Sequence, residues 1–238
     1  TINNLLLNAN YYTWLVPNEP TNELELMVIV EDSVGLVDSS IVSDLSIQIS
    51  YPKINNIYPP IGLISYATNE INFYFSQSLD SSSINSETIW LETQSSNDLE
   101  YNITYIDSLS KIKISLSKLN CLDTVLFNIS ENISNVFGYS FDGNSDGVGG
   151  DGTVYEFSTS MLGDYNLDTM ITIEDVSQFI INWENDNYDQ ELGPFVGELP
   201  NVYVNPDGDY NYHDMGAFAL MWNWYYSNTT QSFTSYED

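Results

Sequence analysis

"GDYNLDTMITIEDVSQFIINW", residues 163–183, decides how this chain of 238 residues is read. Acids or amides stand at alternate positions (Asp164, Asn166, Asp168), and an apolar run begins directly after them. Numbered from Asp164, the stretch offers side-chain oxygens at positions 1, 3 and 5 and the Met170 carbonyl at 7. Thr172 follows at 9 and Asp175 at 12, with apolar Ile171 at 8 to anchor the loop. Calcium is a hard cation that takes about six to eight oxygens, and a twelve-residue loop supplies them at these positions. The departure is Thr169 at position 6, where glycine accepts the tight turn without strain. An acid-rich helix start is the competing reading, since carboxylates favour helix N-termini in any case. The matching positions, followed at once by a helical pattern, favour a calcium loop.

The pattern recurs at a fixed spacing of thirty-nine residues. Asn205, Asp207, Asp209, Asn211 and Asp214 then occupy positions 3, 5, 7, 9 and 12, with Gly208 at 6 and Tyr210 at 8. Position 1 becomes Tyr203, which offers only its carbonyl, so an outside acid such as Glu198 or Asp189 is expected to complete the shell. Val176, Phe179, Ile180 and Trp183 fall at helical spacing, as do Met215, Phe218, Ala219 and Trp222. These two stripes are expected to face each other as a small shared core, with "ELGPFVGELPN" (191–201) running across the outside.

Upstream, the period is two. In "LELMVIV", Leu24, Leu26, Val28 and Val30 lie on one face, and in "DLSIQIS" Leu45, Ile47 and Ile49 do, so residues 1–52 read as half-buried strands around the turn "EDSVGLVDSS". Between 53 and 159, "INFYF", "KIKISLS", "VLFNIS" and "VYEFS" alternate in the same way, separated by Ser, Asn, Asp and Gly clusters, and predict an antiparallel sandwich. Within it "DGNSDGVGGDG" repeats the 1, 3, 5 spacing as Asp142, Asn144 and Asp146, with Gly147 at 6 and Asp151 beyond. Both a calcium site and a glycine-rich hairpin connection fit that stretch.

Composition narrows the function. Thirty-four acids against four basic residues give a formal charge of −30, which leaves nothing to displace counterions from nucleic-acid phosphate and makes divalent cations natural partners. No apolar run reaches the roughly 18 residues of a membrane-spanning helix. One His and one Cys rule out the common hydrolase triads and His-based zinc sites. Cys121, in "LNCLDTVLFNIS", reads as a small buried hydrophobe.

Two loops, each with one following helix, resemble the dockerin module of secreted bacterial proteins over about 162–226. The resemblance implies calcium-dependent folding, docking into a cohesin-like domain, and partner contacts at loop positions 10 and 11, here Ile173, Glu174, Tyr212 and His213. "IYPPIGLISYATNEINFYFSQSLDSSSINSETIWLE" and "NVFGYSFDGNSDGVGGDGTVYEFST" resemble the immunoglobulin-like domains of bacterial surface-layer proteins of the SbsA type. "YYTWLVPN…VIVEDSVGLVDSS" resembles the second half of another immunoglobulin-like domain, so 1–52 is expected to be the end of a domain that begins upstream of Thr1.

The expectation is therefore a mainly β chain. A fragment (1–52) and an immunoglobulin-like sandwich (53–159) precede a small helical module with two calcium loops (160–228) and a tail (229–238). The implied setting is extracellular or on a bacterial cell surface. The implied role is non-catalytic: tethering a polysaccharide-degrading enzyme or surface protein to a scaffold, or a structural adhesin, S-layer or filament subunit that contacts a neighbouring subunit.

Overall fold

The computed structural model describes residues 20–95 and 99–229. It is mainly β and forms two compact units, one ending at Ser50 and the other beginning at Tyr51.

The described residues of the first unit form an antiparallel hairpin, β1 (Thr21–Glu31) and β2 (Val37–Ile47). The strands reach further into the expected turn than alternation suggested, leaving only 32–36 to reverse the chain, where the Asp32 carboxylate accepts the N–H groups of Val34 and Leu36. The expected half-buried face holds in part: Leu24, Leu26, Leu45 and Ile47 are half-buried, whereas Val28 and Val30 are both 63% exposed and Ile49 is exposed too. Residues 11–18 of the presumed domain fragment lie outside the described residues.

The second unit opens with a two-layer sandwich. One sheet runs β3 (Ile54–Tyr58), β5 (Glu70–Phe75), β8 (Lys111–Leu116), β7 (Tyr101–Ile106). The other runs β4 (Gly62–Ile64), β10 (Thr153–Thr159), β9 (Thr124–Ile129), β6 (Ile89–Thr93). All pairings are antiparallel except β4 with β10. The alternation read from sequence is the packing: Ile71, Phe73 and Phe75 on β5, Ile112, Ile114 and Leu116 on β8, and Val125, Phe127 and Ile129 on β9 all point into one core. Phe127 meets Phe157 of β10 edge-on, ring centroids 5.1 Å apart.

Beyond Thr159 come α1 (Ile173–Glu184), a short hairpin β11 (Phe195–Glu198) and β12 (Asn201–Val204), and α2 (Tyr212–Thr229). These elements share a second core to which the sandwich contributes Tyr66 and Cys121, packed among Leu162, Ile171, Val202 and Met221. The Cys121 N–H donates to the Val202 carbonyl at 2.7 Å, and Asn201 Nδ2 donates to the carbonyls of Cys121 and Leu122. Lys118 Nζ sits 4.9 Å from the centre of the Tyr203 ring. The helical region is thus built onto the sandwich.

Two expectations change here. Ile180 is 49% and Met215 56% exposed, Trp183 lies at the rim, and Ala219 is exposed. The inward face of α1 is Asp175, Phe179 and Asn182, and that of α2 is Asp214, Ala217, Phe218 and Met221. The thirty-nine-residue repeat survives, since Asp175, Phe179 and Asn182 correspond to Asp214, Phe218 and Met221, but its buried face includes polar residues that an apolar stripe omits. Second, 191–201 runs outside only in part: Glu191, Leu192 and Gly193 are buried, Pro194, Phe195, Leu199 and Pro200 are half-buried, and Val196, Gly197, Glu198 and Asn201 are exposed.

Candidate metal centres

Three loops carry the acids singled out by spacing, and they share one pattern of hydrogen bonds. In the loop between β9 and β10, Asp142 Oδ1 accepts the Asp146 N–H (3.1 Å) and Oδ2 the Gly147 N–H (3.0 Å). Before α1, Asp164 Oδ1 and Oδ2 accept the N–H groups of Asp168 (3.2 Å) and Thr169 (3.1 Å). A first carboxylate therefore gathers the main chain of positions 5 and 6. The position 5 acid in turn accepts the N–H of position 7: Asp146 from Val148, Asp168 from Met170, Asp207 from Asp209. Asn144 and Asn166 at position 3 both accept the N–H of position 5. Position 6 is left-handed throughout, at φ +92° for Gly147, +68° for Thr169 and +81° for Gly208.

The helix starts repeat too. Thr172 caps α1 by accepting the Glu174 N–H, and Asp175 returns the bond by accepting the Thr172 N–H at 2.8 Å, a reciprocal capping box. Asp175 Oδ1 also takes the N–H of Tyr165, position 2 of the loop. At α2, Asn211 accepts the His213 N–H while Asp214 Oδ2 accepts the Asn211 N–H at 2.7 Å.

The first half of this second loop is not where fixed spacing puts it. Tyr203 lies on β12, opposite Val196. The N–H groups of Asp207 and Gly208 are instead taken by Glu191 Oε2, at 2.9 and 3.2 Å. The Leu192 N–H goes to Asp214 Oδ1 at 2.8 Å, as that of Tyr165 goes to Asp175. Glu191 and Leu192 are thus positions 1 and 2, and the β11–β12 hairpin is inserted behind them. Glu191 precedes Asp207 by sixteen residues, where Asp164 precedes Asp168 by four. Neither Glu198 nor Asp189 takes the role. The legible signal was the triplet Glu191-Leu192-Gly193: an unassigned acid, an apolar neighbour, and a glycine ahead of the hairpin.

The acids are deeply placed. Asp142, Asp164, Asp175, Glu191 and Asp214 are 2, 1, 1, 3 and 0% exposed. The four basic residues, Lys53, Lys111, Lys113 and Lys118, all lie in the sandwich region. Among the described residues the Lys ion pair is Lys113 with Glu70, and His213 Nδ1 lies 3.5 Å from Asp207, so no Lys reaches any of these five carboxylates. Burial pushes the Asp164 carboxyl above its ordinary range, against the N–H groups of Thr169 and Asp168 that draw it down. Burial acts likewise on Glu191, helped by the nearby charges of Asp214 and Asp207.

The acids do not converge equally. Asp142, Asp146 and Asp151 bring one oxygen each within 4.8 Å of the others, and among the described residues no other such trio forms. A parallel bridge between Asp142 and Asp151 delivers the last carboxylate, which a following helix delivers elsewhere. Gly143 permits the closure, since a Cβ there would lie 2.7 Å from the Asp151 carbonyl. Met170, Asn205 and Asp209 lie at the surface. The positions expected to meet a partner are exposed: Ile173 and Tyr212 at 70 and 68%, with Glu174 and His213 beside them.

No family model and no curated protein sequence matches the chain. Among solved structures it is similar to the N-terminal part of the bacterial S-layer protein SbsC (12% identity, TM-score 0.31, 46% of this chain and 23% of that one). It is also similar to a longer form of SbsC (13%, 0.33, 48% and 15%) and to an LD-transpeptidase solved with imipenem (9%, 0.30, 47% and 41%). The chain spans less than a quarter of the S-layer structures it matches. Among the described residues no helix is long and apolar enough to cross a membrane.

Proposed function

We propose that residues 51–229 are a non-catalytic, calcium-stabilised structural segment of a secreted or cell-surface protein, in which Ca2+ occupies the 142–151 and 164–175 loops. The observation that carries this reading is that Asp142, Asp164 and Asp175 are almost wholly buried with no Lys or Arg beside them. A buried charge is costly unless it is paired or coordinates a metal, and oxygen-only loops suit a hard cation. Asp142, Asp146 and Asp151 would hold the ion in the first loop. Asp164, Asn166, Asp168, the Met170 carbonyl and Asp175 would hold it in the second. Because the helices share a core with the sandwich, the ion would stiffen a continuous unit, as a load-carrying surface or filament subunit requires. Thermal unfolding of the full chain tests this. Calcium at about 100 times its Kd adds roughly 2.7 kcal/mol per site and should raise the midpoint by about 5–10 °C for each occupied loop over the chelated chain. An unchanged midpoint contradicts it.

A tethering role is the second reading, favoured by the exposed apolar pair Ile173 and Tyr212 at equivalent loop positions. On that reading Tyr212→Ala weakens binding to a cohesin-like domain and leaves the calcium-dependent midpoint in place.

A further inference from the structure

We propose that the loop before α2 is a divalent-cation site split along the chain, with Glu191 as its first ligand and the β11–β12 hairpin inserted between its two halves. The inference rests on reading the other loops as calcium sites, but it stands on its own observations. Glu191 and Asp214 make the same main-chain bonds as Asp164 and Asp175, although sixteen residues, not four, lead from the first acid to position 5.

The bonding of Glu191 is incomplete, and its missing partner points to a ligand. Glu191 is 3% exposed, and while Oε2 takes two N–H groups, Oε1 has no hydrogen-bond partner. An ionised Oε1 buried without a donor costs free energy, and a proton placed on it would find no acceptor. Asp207 and Asp214 stand close enough to add their charge, and His213 Nδ1, 3.5 Å away, faces Asp207 rather than Glu191. A hard cation bound by Oε1 supplies the missing partner and offsets the charges of Asp207 and Asp214.

The consequence is mechanical. Leu192 and Gly193 both donate to Asp214 Oδ1, and a Cβ on Gly193 would meet the His213 backbone at 2.8 Å. An ion shared by Glu191 and Asp214 therefore clasps the root of the hairpin to the start of α2. The same hairpin carries Val202, whose carbonyl holds Cys121 of the sandwich.

Native mass spectrometry of the full chain during calcium titration tests this. Glu191→Gln should bind one ion fewer than the unsubstituted chain, and Glu191→Asp should weaken one site by about tenfold or more. Tyr203→Asp should change neither ion number nor affinity, because Tyr203 is not at position 1. If Glu191→Gln retains the full complement, or Tyr203→Asp tightens a site by about tenfold, the split site is wrong while calcium in the other loops stands. If the unsubstituted chain binds no calcium, both readings fail. Should Glu191→Gln not fold, Glu191→Asp and Tyr203→Asp decide: a weakened site in the first with no change in the second supports the proposal, and the reverse overturns it.

Discussion

Thr169 is a β-branched residue at φ +68°, where the equivalent positions hold Gly147 and Gly208. Such a conformation costs roughly 1–3 kcal/mol for a non-glycine residue, and the greater freedom of glycine in the unfolded chain returns about 0.5–1 kcal/mol of that. Thr169→Gly should therefore stabilise the chain by about 1 kcal/mol in denaturant unfolding; a loss of stability would mean the threonine side chain contributes more than its strain. At this scale the sequence was informative wherever a residue's role depended on near neighbours. The left-handed Thr169, the anchoring Ile171 and the capping acid Asp175 all follow from counting along one loop. Glu191 does not, because its partners Asp207 and Gly208 become neighbours only after the chain has made a hairpin. Spacing cannot register an insertion whose ends meet in space.

The strands were legible because alternation reports one buried face directly, and Phe73, Ile114 and Phe127 lie where it placed them. The helices were legible as helices, but their orientation was not. Apolar periodicity selected Val176, Phe179, Ile180 and Trp183; Phe179 is in the core and Val176 packs against it, whereas the loop turns Asp175 and Asn182 inward and leaves Ile180 and Trp183 exposed. Phe179 is 8% exposed and packs on Phe218, ring centroids 5.2 Å apart, while Trp183 is 38% exposed at the rim. Phe179→Ala should cost about 3–5 kcal/mol, and Trp183→Ala less than half of that, both read from denaturant midpoints. Equal costs would restore the apolar stripe as the core. Gly193→Ala tests the hairpin root: with backbone atoms at 2.8 Å there is no flexible side chain to give way. It should lower the melting temperature far more than Gly216→Ala, where nothing lies within 4 Å of an added Cβ.

Across the whole molecule, the joined core makes Cys121 a reporter of the helical region. The thiol is fully buried, and burial raises its pKa well above the ordinary range, so it is inert while the fold is closed. With calcium bound, alkylation of this sole cysteine should be slow; chelation should accelerate it by loosening the hairpin that Val202 ties to Cys121. Equal rates would uncouple the loops from that core. The carboxyl shifts set a second dependence. Asp164 and Glu191 have pKa values raised in the folded chain, so the folded state holds protons that the unfolded state has released. Without metal, the stability these two groups contribute should then be fully present below the ordinary carboxylate pKa of about 4 and be lost as pH rises through the raised values. The metal-free melting temperature should be higher near pH 5 than at pH 7, and the reverse order would mean that these acids are held ionised without a cation. Calcium should abolish that fall. The central claim, that buried acids without basic partners are held by Ca2+, is tested most directly by calorimetric titration of calcium into the demetallated full chain. The account predicts saturable binding with Kd of about 10⁻⁴–10⁻³ M or tighter, lost stepwise in Asp142→Asn and Asp164→Asn. Heats no greater than dilution, in a chain that is already folded, would contradict it.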